Sequence, residues 1–592
     1  MPNETILHRL HNNGRIRPNA PAYYEKVNDH WVPTSWQEYL NHVRQAAKSL
    51  LAIGIEPGSS VNILGFNRPE WVIMDLAAML IGGTATGIYT TNSPSECKYI
   101  IEHSEAAVVV LEDESQWQKI NSIRDQIPNV KKIIMMRGTN IPDDWALSWE
   151  TFMAQGNDIP DERINSLMDS LEMNQLCTLI YTSGTTGPPK GVMLSHENLA
   201  WTSKQAVGLL NYTPSDSSLS YLPLSHIAEQ MFTIHGPITA GYQIYFAESG
   251  LKVADNLKEI QPTILFGVPR VWERFYSGVT ARLAEATGAR AKIAQWAMGI
   301  GKRAWAEKHR GREPGGLLGI QYNIANKLFY SKVKEALGLS RLRYGISGAA
   351  PLNPEIAHFF TGLDVPILEI YGQSEGSGPT TTNRPGATKI GTVGQAWPGS
   401  EVKLADDGEI MLRGKNVFLG YYKNPAATAE TLIDGWLYSG DLGSFDDEGF
   451  LTITGRKKEI IITSGGKNIA PKNIEAALKN LELVAEAVVI GEQRRYLTAL
   501  LTLDEEAATR FAEEHGLVGQ TLHDNQTLID HLQKEIDEKV NSHFARVEQV
   551  RGFKVLPRPF TVEDGELTPT LKIKRRVINE HFQNEIESMY QE

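Results

Sequence analysis

The chain has 592 residues, too many for one ordinary domain, and its 41% hydrophobic and 22% charged residues give the balance of a folded globular protein rather than a disordered one. A formal net charge of −12 argues against general nucleic-acid binding, and two cysteines, Cys97 and Cys177, are too few for a disulfide framework or a Cys-rich zinc site and fit a reducing cytoplasm. The N-terminus MPNETILHRLHNNGR has no secretory apolar run, and PEWVIMDLAAMLIGG is interrupted by Asp75 and too short to span a bilayer, so any membrane contact is expected to be peripheral.

In chain order, the apolar runs VNILGF, AAVVVLE, KKIIMMR, LCTLIYT, QIYFAE, TILFGV and VPILEIYG read as strands separated by longer amphipathic stretches. That alternation predicts α/β layering with mostly parallel sheets. After Gly399 the texture changes: GEIMLRG, GFLTITG and EIIITSGG lie close together between Gly/Asp turns, which predicts antiparallel pairing and a small barrel. From Arg456 the period shortens to strand, helix (PKNIEAALKN), strand (VAEAVVIGE) and strand (YLTALLTLD). The expected division is therefore residues 1–455 and a small α/β domain at 456–592.

The segment YTSGTTGPPKGVMLSH, Tyr181 to His196, follows one of the predicted strands, and Ser195 can cap a helix through ENLAWTSKQAVGLL. Gly184, Gly187 and Gly191 let backbone amides approach a ligand, Thr182, Ser183, Thr185 and Thr186 supply hydroxyl donors, and Lys190 supplies a cation. This inventory suits a polyphosphate; a Gly/Ser/Thr-rich surface turn is the other reading of the window. It is not a Walker A loop, because Lys190 follows Pro-Pro rather than Gly and no Ser or Thr follows it. Four further polar or Gly-rich segments, YGISGAAPL, EIYGQSEGSGP, DGWLYSGDLG and TGRKKEIIITSGGKNIAP, follow in order. The first two fall beyond the carboxyl ends of predicted strands, where open α/β sheets bind ligands. GISGA lacks the last glycine of a serine nucleophile elbow.

Taken together in this order, these segments resemble the adenylate-forming (AMP-binding) superfamily of acyl-CoA synthetases, acyl adenylation domains and firefly luciferases. YLPLSHIAEQ, QPTILFGVPRVWER, YGQSEGSGP and GELTPTLKIKRR are most similar to long-chain fatty acyl-CoA synthetases, especially the bubblegum-type branch. The resemblance covers nearly the whole chain. It implies a large N-terminal domain of two α/β subdomains plus a distorted β-barrel, and a small mobile C-terminal α/β domain. It further implies ATP, Mg²⁺ and coenzyme A as reactants, a fatty acid as substrate, and no nucleic acid or obligate protein partner.

Residue by residue, the resemblance assigns Thr182, Ser183, Gly184, Thr185, Thr186, Gly187 and Lys190 to the departing β- and γ-phosphates. Tyr371 falls against adenine within Tyr371-Gly372-Gln373-Ser374-Glu375, with Ser374 on the α-phosphate in place of the commoner threonine. Glu375 falls on Mg²⁺, with Thr182 as a second metal-side oxygen. Gly348, Ala349 and Ala350 line adenine and the acyl entrance, Asp441 takes the ribose hydroxyls, and Arg456 the ribose and phosphate side. Lys572 contacts the carboxylate and α-phosphate during adenylation; a basic helix face formed with Lys574, Arg575 and Arg576 is the competing explanation. Lys458 holds the hinge position, and Gly465 and Gly466 flank the pantetheine path. His226 is either a core histidine or part of the acyl pocket, and Trp272 is expected to pack rather than gate. The implied activity is long-chain fatty acid:CoA ligation through an acyl-AMP. The alternatives are a ligase that stops at the adenylate or loads a carrier protein, and a non-catalytic lipid binder.

Overall fold

The structure, a computed structural model, describes residues 4–182, 188–568 and 572–591. Ser183, Gly184, Thr185, Thr186 and Gly187 therefore lie outside the described residues.

Each predicted apolar run is a strand. Ala106–Leu111 shows why the pattern is continuous rather than alternating: all six residues are buried, with Val108 and Val110 in the main core and Ala106, Val109 and Leu111 in a second core on the opposite face. A parallel strand covered by helices on both sides needs apolar residues on both sides. The first sheet has eight strands in the spatial order Gly420–Tyr421, Lys190–Ser195, Leu176–Thr182, Thr84–Ile88, Ser60–Leu64, Ala106–Leu111, Lys132–Met135, Ala146–Leu147. It is parallel except at the edge where Lys190–Ser195 folds back on Leu176–Thr182. Ser195 then caps the helix His196–Leu210 through a reciprocal bond pair with Asn198, as its position before an apolar-periodic stretch predicts.

The second sheet has nine strands, with Tyr344–Ser347, Ile264–Gly267 and Ser217–Ser220 near its middle and Ile367–Gln373 carrying the Gly-Gln-Ser-Glu segment toward its edge. Trp272 is wholly buried there, edge-on to Phe360, with its indole N–H donating to the Ile346 carbonyl, so it packs. The apolar helix Pro69–Leu80 is buried along its whole length. Asp75 within it has its pKa pushed up to about 8 by burial, which keeps it a neutral acid at physiological pH.

After Gly399 the strands Ser400–Leu404, Glu409–Gly414, Trp436–Phe445 and Leu451–Arg456 pair antiparallel, as GEIMLRG and GFLTITG predict; EIIITSGG does not join them, because Ile461–Ile462 pairs with Asn468–Ile469 and Ile461 is buried in the C-terminal core. The last part of the chain builds a three-stranded sheet from Val484–Ile490, Leu497–Leu503 and Val550–Val555. Its alternation is strict: Ala487 and Val489 face one core with the helix Pro471–Leu478, while Val488 and Ile490 face another with Ile578 and Phe582. This part has its own core and touches the rest through the Arg270–Glu486 ion pair, among other contacts.

Candidate active site

A cavity of about 2330 Å³ lies where the carboxyl ends of the two large sheets, the antiparallel sheet and the C-terminal part meet. The fold brings Thr182, Lys190, His226, Ala349, Ala350, Tyr371, Gly372, Gln373, Ser374, Glu375, Asp441, Arg456, Lys458 and Lys572 to its wall. Three predicted residues stand apart. Gly348 backs onto Ile370, where an added Cβ would come within 2.8 Å of Cγ1, so its smallness serves packing behind the wall. Gly465 and Gly466 sit on an exposed turn between Ile461–Ile462 and Asn468–Ile469, away from the cavity.

One wall is built on the turn that follows Ile367–Gln373. A β-irregularity at Tyr371/Gly372 lets the chain turn sharply, and a Cβ on Gly372 would fall 1.8 Å from the Gly378 carbonyl oxygen, so no other residue fits. Ser374 and Glu375 then form a helical turn. The Glu375 carboxylate accepts a 2.7 Å hydrogen bond from the Tyr421 hydroxyl, and the Lys190 ammonium stands 4.7 Å above the Tyr421 ring. Lys190 and Glu375, far apart in sequence, thus share one phenol. The Lys190 end is tied down because Tyr99 donates to the Pro189 carbonyl at 3.0 Å. Gln373 adds a buried Nε2 donor that has no partner among the described residues.

A second wall comes from the antiparallel sheet, where Asp441 and Arg456 are directly paired across two strands. The Arg456 Nε–H donates to Asp441 Oδ1 at 3.0 Å, and the Tyr371 hydroxyl donates to Oδ2 at 2.9 Å. Tyr371 itself packs on Ile410 and Leu451, so its ring is at once core and cavity wall. Arg456 is the last residue of its strand; Lys457 follows with bonds to Glu409 and Asp407, and Lys458 is exposed.

The third wall carries Lys572. Its backbone N–H donates to Thr568 Oγ1 at 3.0 Å and its carbonyl accepts from the Thr568 N–H at 2.7 Å, which fixes the start of the side chain. Protein surrounds the ammonium on most sides while the open cavity leaves it in contact with solvent. Burial, then the charges of Arg456 and Lys472, push its pKa below the ordinary lysine value, against the pull of Asp441 and Glu375. Of its basic neighbours, Arg575 and Arg576 also line the cavity but are engaged elsewhere, Arg575 with Glu475 and the Val489 carbonyl and Arg576 near Glu580, while Lys574 is not among the lining residues.

His226 is at the cavity wall, and its Nδ1 accepts from the Ala228 N–H at 3.2 Å. Burial, then the Lys572 charge, pushes its pKa down to about 4, so it stands as a neutral imidazole protonated on Nε2. Two site residues were not singled out in the sequence. Tyr421 gave no signal, since nothing in GYYKN marks a phenol for Glu375. Glu369, pushed up to about 7 by burial, lines the cavity beside Ala350 and accepts from the Leu352 N–H; it was hidden inside an apolar strand run.

Residues 10–422 match the AMP-binding enzyme family and residues 458–592 match the AMP-binding enzyme C-terminal domain. The chain belongs to the AMP-binding enzyme family. It is 39% identical over 610 residues to the long-chain-fatty-acid–CoA ligase ACSBG2 of Xenopus laevis, covering 96% of this chain and 82% of that one. It is 37% identical to human ACSBG2, over 96% and 90% of the two chains, and 36% identical to human long-chain-fatty-acid–CoA ligase ACSBG1, over 96% and 82%. The adenylation domain of a carboxylate reductase from Mycobacterium chelonae has the same fold, with a TM-score of 0.76 at 24% identity over 100% of this chain and 92% of that one. An o-succinylbenzoate coenzyme A synthetase from Bacillus subtilis, solved with ATP and magnesium, aligns with a TM-score of 0.67 at 21% identity over 96% and 98%.

Proposed function

We propose that the protein is an ATP-dependent long-chain fatty acid:CoA ligase working in two steps, with residues 1–455 binding ATP and the acid and residues 456–592 moving between the steps. The observation that carries the reading is Lys572, brought by the C-terminal part into the cavity whose opposite wall holds Glu375, Tyr421 and Lys190. Its kinship with ligases named for long-chain acids supports the substrate class.

In the first step the acid's carboxylate attacks the α-phosphorus of ATP, and pyrophosphate leaves. Anions converge there, so cations and donors must be waiting where charge builds up. Lys572 meets the carboxylate and α-phosphate, Lys190 the departing phosphates, and the unpartnered Gln373 Nε2 and the Ser374 hydroxyl offer further donors. Among the described residues no cluster of three acidic, His or Cys ligands exists. A single carboxylate together with substrate phosphates is a common way to hold Mg²⁺, so Glu375, with Thr182 on the wall of the same cavity, fits that ion. When bound, Mg²⁺ would offset phosphate charge. Asp441 keeps lone pairs for ribose hydroxyls while Arg456 holds it in place, and Tyr371 offers its ring to adenine.

In the second step the CoA thiol attacks the acyl carbonyl, the C–O bond to AMP breaks, and AMP leaves. Lys572 cannot stay in the cavity while a thiol enters, and Gly465 and Gly466 lie outside it; rotation about Lys458 would exchange the two. The cytoplasm fits the two free buried cysteines, and contact with a membrane is peripheral in this reading.

The test is a panel of acids of increasing chain length incubated with MgATP, with and without CoA. Pyrophosphate release that requires the acid, and a thioester that requires CoA, support the ligase, with long chains preferred. Adenylate without thioester would favour a ligase that uses another acceptor, and acid binding without pyrophosphate release a lipid binder.

A further inference from the structure

The helical segment between the strands Ile264–Gly267 and Tyr344–Ser347 carries an apolar surface that the fold leaves uncovered. Helix Gly316–Ala325 and the π-helical turn Asn326–Tyr330 that continues it direct Leu318, Tyr322, Ala325 and Phe329 against Ala297 and Ile300 of the helix Gly288–Lys308. Leu317, Ile320, Ile324 and Leu328 are 71%, 60%, 46% and 45% exposed. Their spacing of three, four and four places them on one stripe of the helix. A surface helix of a globular protein ordinarily presents polar residues there, so this one is apolar on both sides.

Charge tells what would cover it. Residues 288–337 contain ten lysines and arginines against three glutamates, within a chain of net charge −12. An exposed apolar stripe on a basic helical segment, with Lys327 and Lys332 exposed on the run that continues it, is the pattern of a helix that lies in an anionic lipid interface. A second copy of this chain, docked through the same face, would bring the two basic segments together. The hairpin is also firmly attached: Asp364 accepts from the Trp305 indole at 2.8 Å, the Tyr322 hydroxyl at 2.5 Å and the Lys334 ammonium at 2.6 Å. It packs tightly on the helix Pro354–Gly362, where a Cβ on Gly301 would fall 2.6 Å from the Gly362 carbonyl, and Pro354 at the other end of that helix lines the cavity.

We propose that the 288–337 hairpin docks the enzyme on an anionic membrane surface through Leu317, Ile320, Ile324 and Leu328. The stripe helix packs on Gly288–Lys308, that helix packs on Pro354–Gly362, and Pro354 lines the cavity, so a long-chain acid dissolved in the bilayer would be met on the side of the enzyme that leads to the site. The supply role rests on the long-chain reading; the docking does not.

The test is flotation of the full chain with phosphatidylcholine vesicles, with and without added phosphatidylserine. Wild type is expected to float with the phosphatidylserine vesicles, less so at high salt. The triple variant Leu317→Gln, Ile320→Gln, Ile324→Gln should lose about tenfold or more in partitioning. Its melting temperature should be unchanged, because the three positions are exposed. Lys327→Glu with Lys332→Glu should remove the preference for phosphatidylserine. Wild type that ignores anionic vesicles, or a triple variant that binds them equally, overturns the proposal. So does a wild-type dimer in light scattering that the triple variant dissolves without change in vesicle binding, which would assign the face to a second copy. Ligase assays play no part in this readout, so a wrong substrate assignment would leave it standing.

Discussion

The walls contributed by the N-terminal part and the wall contributed by the C-terminal part are held in different ways. Ahead of Lys458 in the chain the charged groups are locked to one another: Glu375 to Tyr421, Asp441 to Tyr371 and to Arg456, which ends a strand of the antiparallel sheet two residues before the pivot, and Lys190 over the Tyr421 ring. On the C-terminal side Lys572 is fixed only through its backbone, by bonds to Thr568, and its side chain lies exposed at the cavity wall. A preorganised half can stabilise developing charge without rearranging, whereas a half that must leave between two steps cannot be knitted into the same network. The difference teaches which substitutions should strike one half-reaction and which should strike both.

The largest and most one-sided effect is expected from Lys572→Ala. Losing a cation aimed at a developing anion is commonly worth about 2.7 to 4 kcal/mol, so acyl-AMP formation should fall about a hundredfold or more. Thioester formation from supplied acyl-AMP should survive. Equal losses in both halves would erase the contrast between the walls, and a selective defect in Lys574→Ala instead would move the role to its neighbour.

Glu375→Gln should act next most strongly, and from the fixed side. The amide oxygen can still accept from Tyr421, so the turn should hold while one negative charge is lost. Rates titrated against Mg²⁺ should show a requirement raised about tenfold or more. An unchanged titration with normal turnover would show that Glu375 does not face the metal.

A smaller effect, on stability, should come from His226, which sits on the N-terminal wall within range of the Lys572 charge. Its folded pKa of about 4 lies below its ordinary 6.5, so the stability it contributes is present above the ordinary value and is lost as pH falls toward the folded one. Between about pH 7 and about pH 5 that loss is roughly 2 kcal/mol. Chemical denaturation of His226→Gln at the two values should show a fall smaller than wild type by about that amount. An identical fall would mean that other groups carry the acid limb.

Much of this was legible in the sequence where one residue type answers one local need. Continuous apolar runs such as Ala106–Leu111 announced two-sided burial, Ser195 announced its helix, and the spacing of Gly-Gln-Ser-Glu, Asp441, Arg456 and Lys572 through the resemblance marked residues that the fold does gather. Contacts created only by folding were not legible. The strand Ser217–Ser220 is three serines and a leucine, and it is buried because Ser220 meets Glu229, Asn67 and Thr233 while Thr263 bonds the Ser217 N–H. The Tyr421–Glu375 bond joins residues 46 positions apart. The uncovered stripe at Leu317 was invisible because a helix apolar on both sides reads in sequence as a buried one.

The exchange of walls is tested most directly at Lys458, exposed in the short turn Lys457–Glu459, whose first residue is tethered to Glu409 and Asp407. Lys458→Pro fixes φ near −65° and should restrict the rotation. The measurement is single-turnover formation of acyl-AMP, followed by its consumption on addition of CoA, in wild type and variant. The expected result is adenylation near the wild-type rate, since the structure already holds Lys572 in the cavity, with consumption by CoA reduced about a hundredfold or more. Both steps at wild-type rates would contradict a pivot at Lys458 and the exchange built on it.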